Sequence, residues 1–147
     1  MKVKIKKLRD NATIPSRGSN YAAGYDLYAC LKENEIYAIE PHQTIKVGTG
    51  VAIQLPPHTF GAIFARSGLA TKQGLRPANC VGVCDEDYTG EYIVALHNDT
   101  DEVKYIENGE RIAQLVVLEY TPIEFALVDE LDSTERGDGG FGSTGAK

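Results

Sequence analysis

The 147-residue sequence lacks any apolar run that approaches the roughly 18 residues needed for a membrane-spanning helix. Positive charge at the N-terminus is not followed by an apolar segment, so a secretory signal is not expected. The three cysteines are an odd number, which does not suggest a disulfide framework. These absences argue against a membrane protein or a disulfide-stabilised secreted protein, and they favour a reducing, cytoplasmic setting.

Few residues are available for a metal centre or a nucleic-acid surface. The three histidines are scattered, and none has metal-ligand spacing with the cysteines, so we do not expect a zinc site. Cys80 and Cys84 are instead expected to be small buried residues of a strand. The net charge of −6 argues against a nonspecific nucleic-acid coat. A polyanionic substrate would therefore need local arginines, backbone N–H groups or a metal.

Helical periodicity is nearly absent, and short alternating or apolar runs separated by turn signals fill most of the chain. A half-exposed strand is predicted around Val3 and Ile5. Further strands are predicted at 25–31, 36–39, 44–47, 51–55, 60–65, 79–84, 91–97, 103–106, 111–119 and 123–128. One short helix is predicted at 67–73, with Ser67 as its N-cap and Gly74 after its last turn. The pattern predicts a single all-β domain, a sandwich, jelly roll or barrel, with one short helix.

The last fifteen residues differ from the rest, because five of the nine residues from 137 to 145 are glycine. Such a segment cannot offset its ordering entropy by burying its own side chains. It is either a floppy tail or a lid in which backbone N–H groups and Arg136 meet an anion and Phe141 stacks on a ring. We therefore predict a β domain at 1–132 and a flexible C-terminal lid at 133–147.

Two motifs place polar groups at the start of a predicted element, and each is ambiguous alone. Asp26, in an otherwise apolar strand opening, is either a carboxylate bonded to local backbone or one that faces a metal or its waters. Arg66, Ser67 and Gly68 form either a capped helix start with a surface arginine or a phosphate cradle.

Two other motifs carry polar groups within predicted strands or at a turn. Segment 79–90, with two apolar runs around an acidic tip, is predicted to be a hairpin. Asp85 and Asp87 are either turn-forming residues or a general base for water, and Tyr88 would be a platform for a sugar or base. Gln114, in an apolar strand, is either hydrogen-bonded in the core or directed at a ligand.

Taken together and in this order, the five motifs between Ala23 and Gly145 resemble those of the trimeric dUTP pyrophosphatases, or dUTPases. Segments 82–88 and 139–145 are the most specific parts of the resemblance. It implies a jelly-roll-like, distorted β-barrel protomer in a homotrimer with shared active sites, the Gly-rich tail of each chain folding over a neighbour's site. It implies no nucleic-acid or membrane partner.

The resemblance also implies an activity, the Mg²⁺-dependent hydrolysis of dUTP to dUMP and pyrophosphate. In the family, water attacks the α-phosphorus, and the reaction lowers dUTP, prevents uracil incorporation into DNA and supplies dUMP for dTMP synthesis. Asp85 matches the catalytic aspartate that acts as general base, and Asp26 matches the aspartate that supports the metal through water. The metal itself is expected mainly on the triphosphate, which agrees with the few protein ligands that Mg²⁺ takes.

By the same resemblance, phosphate contacts are expected from Arg66, Ser67, Gly68, Gln114, Arg136, Ser143 and Thr144. Phe141, with Gly142 beside it, is expected to stack on uracil, whereas Tyr88 packs under the deoxyribose. The uracil edge is expected to meet backbone or side chains of Asn79, Gly82, Val83, Cys84 and the chain near Ile93. The sequence departs from the family pattern at Cys84, where isoleucine is usual, and at Ala65, where proline is common. Neither departure removes a functional group.

Three other interpretations were weighed against a dUTPase. A dCTP deaminase, which has a related fold, lacks the tail and the acidic hairpin in the form found here. A dUTP-binding regulatory module that has lost catalysis would not need Asp85 and Arg136, although a regulatory role in addition to activity is compatible with the sequence. A structural β domain with a disordered tail explains the strands but not the five ordered motifs.

Overall fold

The computed structural model describes residues 2–140, which form ten strands and one short helix. The strands are β1 (Lys4–Lys7), β2 (Tyr25–Tyr28), β3 (Ile36–Ile39), β4 (Thr44–Gln54), β5 (Thr59–Phe64), β6 (Leu75–Pro77), β7 (Val81–Cys84), β8 (Glu91–Asn98), β9 (Lys104–Glu107) and β10 (Arg111–Glu119). The helix is α1 (Ser67–Gln73). The prediction of an all-β, jelly-roll-like protomer with one short helix is confirmed. This helix, the one present within 2–140, does not have the length and apolar character required to cross a membrane.

Two four-stranded antiparallel sheets and a two-stranded ribbon make up the domain. The strand orders are β1-β4-β8-β6 in one sheet, β2-β10-β5-β7 in the other and β3-β9 in the ribbon. Alternating residues of both sheets point into a common core, where Leu27, Val51, Leu96 and Ile112 are fully buried. The opposite face of the second sheet, together with the ends of its strands, carries most of the residues singled out for chemistry.

The structure joins two predicted strands into one, because β4 runs unbroken through Gly48-Thr49-Gly50. The predicted turn at this tripeptide is wrong: the register against β8 shifts between Gly48 and Ala52, as in a β-bulge. Gly50 has a φ of 69°, and a Cβ on it would lie 2.7 Å from both the Cβ of Ala12 and the Sγ of Cys30. Glycine is required here because the chain is both left-handed and tightly packed.

Helix α1 has the predicted bounds but a different N-cap. Arg66, not Ser67, is the N-cap residue, and its side chain makes no capping hydrogen bond. Its backbone stays extended (φ −82°, ψ 129°), and its guanidinium reaches back to β2 instead. At the other end the prediction is confirmed, since Gly74 is left-handed with a φ of 67° and donates its N–H to the carbonyl of Ala70 at 3.2 Å.

Segment 79–90 is not a hairpin of two paired strands, as was predicted. Strand β7 pairs with β5 in one sheet, whereas β8 pairs with β4 and β6 in the other. The acidic tip is therefore a crossing between sheets.

Strand β6, which was not predicted, occupies only three residues and ends at a proline. The prediction that Cys80 is a buried residue of a strand is also wrong. Cys80 is exposed and left-handed, in a turn before β7 begins.

The predicted strand at 123–128 is absent from the described chain, which has no regular element after β10. Ile123 and Phe125 are 71% and 90% exposed, and Leu127 is fully exposed. The alternating pattern is that of a strand, but no neighbouring strand of the same chain pairs with it. The predicted N-terminal strand, in contrast, is present as β1, although all of its residues are exposed and not half-exposed as predicted.

Candidate active site

A row of side chains crosses the second sheet where β2, β10 and β5 lie side by side. Gln114 on β10 is directly opposite Asp26 on one side and Phe64 on the other, so all three side chains share one face of the sheet. This row forms the floor of a cavity of about 450 Å³, which we call the cradle pocket. Its lining residues are Gly18, Ala22, Ala23, Gly24, Asp26, Phe64, Arg66, Ser67, Gly68, Arg111, Gln114 and Val116.

Asp26 pairs with two arginines at the wall of the cradle pocket. Arg66 donates from Nε to Oδ1 at 2.8 Å, and Arg111 donates from Nη1 to Oδ2 at 3.3 Å. Arg66 also donates from Nη1 to the Arg111 carbonyl at 3.3 Å. Two guanidiniums and one carboxylate leave a net positive charge, and the shared carboxylate fixes both cations in place.

Arg111 was not among the predicted site residues, although it lies on the same strand as Gln114, three residues earlier. A β-strand alternates its side chains, so an odd spacing normally separates two residues onto opposite faces. The register of β10 against β2 shifts between Arg111 and Ala113, and this irregularity accompanies the placement of Arg111 on the cradle pocket. The sequence shows a basic residue near Gln114, and this was the signal that could have identified Arg111. The direction of its side chain, however, depends on the bulge.

Gln114 is both hydrogen-bonded and exposed to the cradle pocket. Its Nε2 donates to the carbonyl of Ala65 at 2.8 Å. Its Oε1 packs against Gly24, where an added Cβ would approach it to 2.4 Å. One N–H of the amide remains for a ligand, because Nε2 carries two hydrogens.

Asp85 lies in a second cavity, of about 620 Å³, which we call the carboxylate pocket. It is lined by Phe60, Val83, Asp85, Glu86, Asp87 and Tyr120. The adjacent β7 is an edge strand, so backbone groups along its outer side are not used by the sheet. Val83 is 63% exposed on this strand. Asn79 lies next to Gly82, because a Cβ added to Gly82 would be 3.5 Å from the Asn79 Nδ2 atom.

The segment after Asp85 holds Tyr88 in a fixed orientation. The N–H of Tyr88 donates to the Asp85 carbonyl at 3.1 Å, and its hydroxyl donates to the Glu91 carbonyl at 2.9 Å. Gly90 leaves room for the ring, since a Cβ there would come within 2.5 Å of the hydroxyl. Tyr88 therefore presents an exposed and preorganised aromatic surface. Ile93 is likewise exposed, on β8 opposite Gly48.

Cys84 is half-buried and packs against the core near Tyr92, as expected for a small buried residue. Burial raises the pKa of the Cys84 thiol, so it is a neutral packing group at ordinary pH. Burial also raises the pKa of Tyr92, whose hydroxyl is buried without a hydrogen-bond partner among the described residues.

The predicted site residues fall into two groups within one chain. Asp26, Arg66 and Gln114 share the cradle pocket with Ser67 and Gly68, whereas Asp85 and Val83 line the carboxylate pocket, and no described residue lines both. Arg136 is exposed, and its Nε donates to the nearby Gly139 carbonyl at 2.8 Å. Phe141, Gly142, Ser143 and Thr144 lie outside the described residues.

The described residues provide no cluster of three or more His, Cys, Asp or Glu side chains suited to a metal ion. Among the residues that line the cradle pocket, Asp26 is the one carboxylate and the candidate for contact with a hydrated cation. Both of its oxygens accept hydrogen bonds from arginines, yet each carboxylate oxygen has a further acceptor site. This donor set fits a metal held through water better than direct coordination.

Comparison with known proteins gives consistent results over almost the whole chain. Residues 10–145 match the model of the dUTPase family. The deoxyuridine 5'-triphosphate nucleotidohydrolase of Desulfitobacterium hafniense (strain DSM 10664 / DCB-2) is 49% identical over 99% of this chain and 97% of its own. The protein of the same name from Hydrogenobaculum sp. is 44% identical over the full length of both chains. The structure of a Staphylococcus bacteriophage 80alpha dUTPase mutant with dUpNHpp superimposes with a TM-score of 0.87 at 30% identity and covers 99% of each chain.

Proposed function

This chain belongs to the dUTPase family, and from that premise we propose how it hydrolyses dUTP to dUMP and pyrophosphate. The observation that carries the proposal is the Asp26 ion-pair cluster: two fixed guanidiniums beside Gln114 in a chain whose net charge is −6. Such a local cationic site is what a triphosphate requires from an acidic protein.

Arg66 and Arg111 bind the phosphate oxygens, and Asp26 orients both side chains before the substrate arrives. Ser67 and Gly68 add hydrogen-bond donors at the pocket wall, and the free N–H of Gln114 adds another. Because these groups are already held in place, little conformational entropy is lost when the triphosphate binds.

Asp26 would hold a hydrated Mg²⁺ in the same pocket by accepting hydrogen bonds from its waters. When bound, the metal neutralises charge on the phosphate chain and lowers the barrier to attack at phosphorus. Asp85 orients the attacking water and takes its proton. A carboxylate is a weak base, so most of the acceleration comes from positioning and charge neutralisation.

The outer edge of β7 recognises uracil. Free backbone groups near Gly82, Val83 and Cys84 pair with the base edge, with Asn79 beside them. A base with the wrong donor pattern leaves polar groups unpaired, which disfavours cytosine. Thymine is excluded by the lack of space for its methyl group, and Tyr88 packs under the deoxyribose and disfavours a ribose 2′-hydroxyl.

The active enzyme is a homotrimer in which neighbouring chains complete each site. Two observations support this proposal. The cradle and carboxylate pockets share no described residue, and the register places Gln114 opposite Phe64 but Cys84, next to Asp85, opposite Gly61, so Asp85 and Gln114 lie toward different ends of β5 within one chain. The segment 121–128 also exposes an alternating apolar face, which needs a partner strand.

A groove beside the edge strand β1 supplies a place for a neighbour's segment 121–128. The groove has a volume of about 470 Å³ and is almost entirely apolar. Its lining residues are Val3, Ile5, Ile14, Pro15, Tyr25, Ile53, Leu55, Leu115 and Val117. An incoming strand would pair with the free edge of β1 and bury both apolar surfaces. Residues 133–147 would then continue as the lid over a neighbour's site, bringing Arg136 and Phe141 to the substrate.

Pyrophosphate release from dUTP, with dCTP, dTTP and UTP assayed in parallel in the presence of Mg²⁺, tests the proposal. Release from dUTP alone is expected. Separate contacts recognise the base edge, exclude the 5-methyl group of thymine and discriminate against the ribose 2′-hydroxyl. Ammonia release from dCTP would instead place the reaction on the base. Tight dUTP binding without product would contradict the proposed roles of Asp85 and the lid.

A further inference from the structure

Glu86 connects the turn that follows Asp85 to the connection between β4 and β5. Its carboxylate accepts the backbone N–H of His58 through Oε2. Residues 85–88 form a tight turn closed by the hydrogen bond from the Tyr88 N–H to the Asp85 carbonyl. Among the described residues, the Glu86 contact is the one hydrogen bond that joins positions 85–87 to a backbone group in another part of the chain, and the Glu86 carboxylate also lies near the Tyr120 hydroxyl.

The segment that receives Glu86 is itself well fixed. His58 is left-handed with a φ of 60°, and its carbonyl accepts the Tyr120 N–H at 3.0 Å. Its ring packs edge-to-face on Tyr120, with 6.3 Å between ring centres. Thr59 closes the same connection by donating its hydroxyl to the Pro56 carbonyl at 2.7 Å. Glu86 thus attaches the turn to a rigid point at the end of β10.

The local charge distribution makes such an anchor necessary. Asp85, Glu86 and Asp87 are consecutive, so their carboxylates repel one another if all are ionised. Asp85 itself is exposed and has no described side-chain partner to hold it. The Glu86 contact gives one of the three carboxylates a backbone donor.

We propose that Glu86 is a positioning residue for dUTP hydrolysis, because its carboxylate, bound to the His58 N–H, holds the turn that carries Asp85. This inference rests on the proposed role of Asp85 as general base. A reacting group displaced by about 1 Å can lose on the order of 100-fold in rate. Substrate contacts in the cradle pocket involve other residues, and Tyr88, at the end of the same turn, is held separately by the contact of its hydroxyl with the Glu91 carbonyl. Loss of the Glu86 contact is therefore expected to affect turnover more than binding.

The test compares kcat and KM for dUTP, with Mg²⁺, in Glu86→Ala and Glu86→Gln. Glu86→Ala removes the acceptor, and we expect kcat to fall roughly 10- to 100-fold with little change in KM. Glu86→Gln keeps an oxygen that accepts the His58 N–H, so it retains most of the wild-type kcat. Glu86→Met fills similar space without an acceptor and repeats the test if the alanine variant does not fold.

The control is Glu35→Ala. The Glu35 carboxylate accepts the Lys32 N–H at 2.9 Å in another exposed turn, but it lines neither pocket. Glu35→Ala removes the same kind of contact as Glu86→Ala, and we expect its kcat to equal that of the wild type. Both alanine variants should lower the melting temperature by no more than about 4 °C.

Asp85→Asn, assayed beside these variants, separates the two levels of the proposal. Wild-type kcat in Glu86→Ala with an inactive Asp85→Asn would overturn the role of Glu86 alone. An active Asp85→Asn would overturn the proposed function of Asp85 itself. Equal losses in Glu86→Ala and Glu86→Gln would show that the charge matters rather than the anchor, and would also overturn the inference.

Discussion

At the scale of single residues, Asp26 organises the cradle pocket without needing to touch the substrate. Its two ion pairs hold both guanidiniums beside the cradle pocket. The sequence alone left open whether Asp26 bonds to local backbone or faces a metal or its waters. The structure shows a different use of the carboxylate, since its partners come from two distant elements.

Asp85→Asn should separate substrate binding from chemistry. The variant keeps the shape of the turn and leaves the cradle pocket intact, but it removes the base. We expect kcat to fall by about 10²- to 10⁴-fold while dUTP still binds. Pyrophosphate release and equilibrium binding of dUTP measure the two effects. Asp87→Asn, in the same turn, is the control, and a larger loss in that variant would reassign the base.

The two cysteines at and before β7 should differ in reactivity. Cys80 is exposed, whereas burial raises the pKa of Cys84, so less of the reactive thiolate is present there at any given pH. We expect iodoacetamide at pH 8 to label Cys80 in the native protein well before Cys84, as read by peptide mass spectrometry. Labelling of both at the same rate in native protein, and not only after unfolding, would contradict the packing of Cys84 against Tyr92.

At the scale of elements, the sequence predicts those whose signals are local. Strands β3 and β10 and helix α1 have the predicted bounds, because an apolar pattern and its flanking turn residues lie together in the sequence. The break predicted within β4 was wrong because a Gly-Thr-Gly tripeptide suits a bulge as well as a turn. The partners of β7 and β8 depend on distant residues, so local pattern could not distinguish a hairpin from a crossing between sheets.

The same distinction applies to the candidate site. Asp26, Arg66 and Gln114 could be selected because a polar residue in an apolar strand, or an arginine at a helix start, is unusual in its own context. Arg111 was missed because its direction depends on a register shift between two strands that are far apart in sequence. The Glu86 contact with His58 was also not visible, since 28 residues separate the partners.

Gly24 directly precedes β2, beside Gln114 of β10, and Gly24→Ala should weaken substrate binding. The new methyl group would meet Oε1 of Gln114 at 2.4 Å, so the amide must leave the wall of the cradle pocket. We expect KM for dUTP to rise roughly 10-fold, the value of one hydrogen bond to a charged group. The melting temperature should change little, because the displaced atom is the end of a flexible side chain.

Gly18→Ala is the matched control, because Gly18 lines the same pocket and has no atom within 4 Å of the added Cβ. Its KM should equal that of the wild type. An equal rise in both variants would show that the effect comes from glycine loss in general and not from the Gln114 contact.

The apolar face of segment 121–128 can be tested by Phe125→Asp. Each buried phenylalanine is worth about 1.5–3 kcal/mol, and three copies would be lost from the proposed trimer. We expect light scattering to show dissociation at concentrations where the wild type is trimeric. Glu124→Lys changes charge on the opposite face of the same segment and should leave the assembly intact. A trimeric Phe125→Asp would remove the segment from the interface.

At the scale of the whole molecule, the proposal gives the tail and the segment before it separate tasks. A chain ending at residue 135 loses Arg136 and the Gly-rich motif but keeps 121–128, so we expect an intact trimer with little activity. A chain ending at residue 120 also loses the apolar face and should dissociate. Light scattering and pyrophosphate release distinguish these outcomes. Dissociation of the longer chain would show that the tail is structural and would contradict the lid.

The separation of the cradle and carboxylate pockets also has a genetic consequence. If each complete site takes Asp85 from one chain and Gln114 from another, as proposed, two alleles that are individually inactive will complement each other in a mixed trimer. A single inactive allele, expressed with the wild type, harms sites to which its own chain contributes only one part. Dominance and complementation in this protein therefore follow from which pocket a mutation alters, and not only from how severe the mutation is.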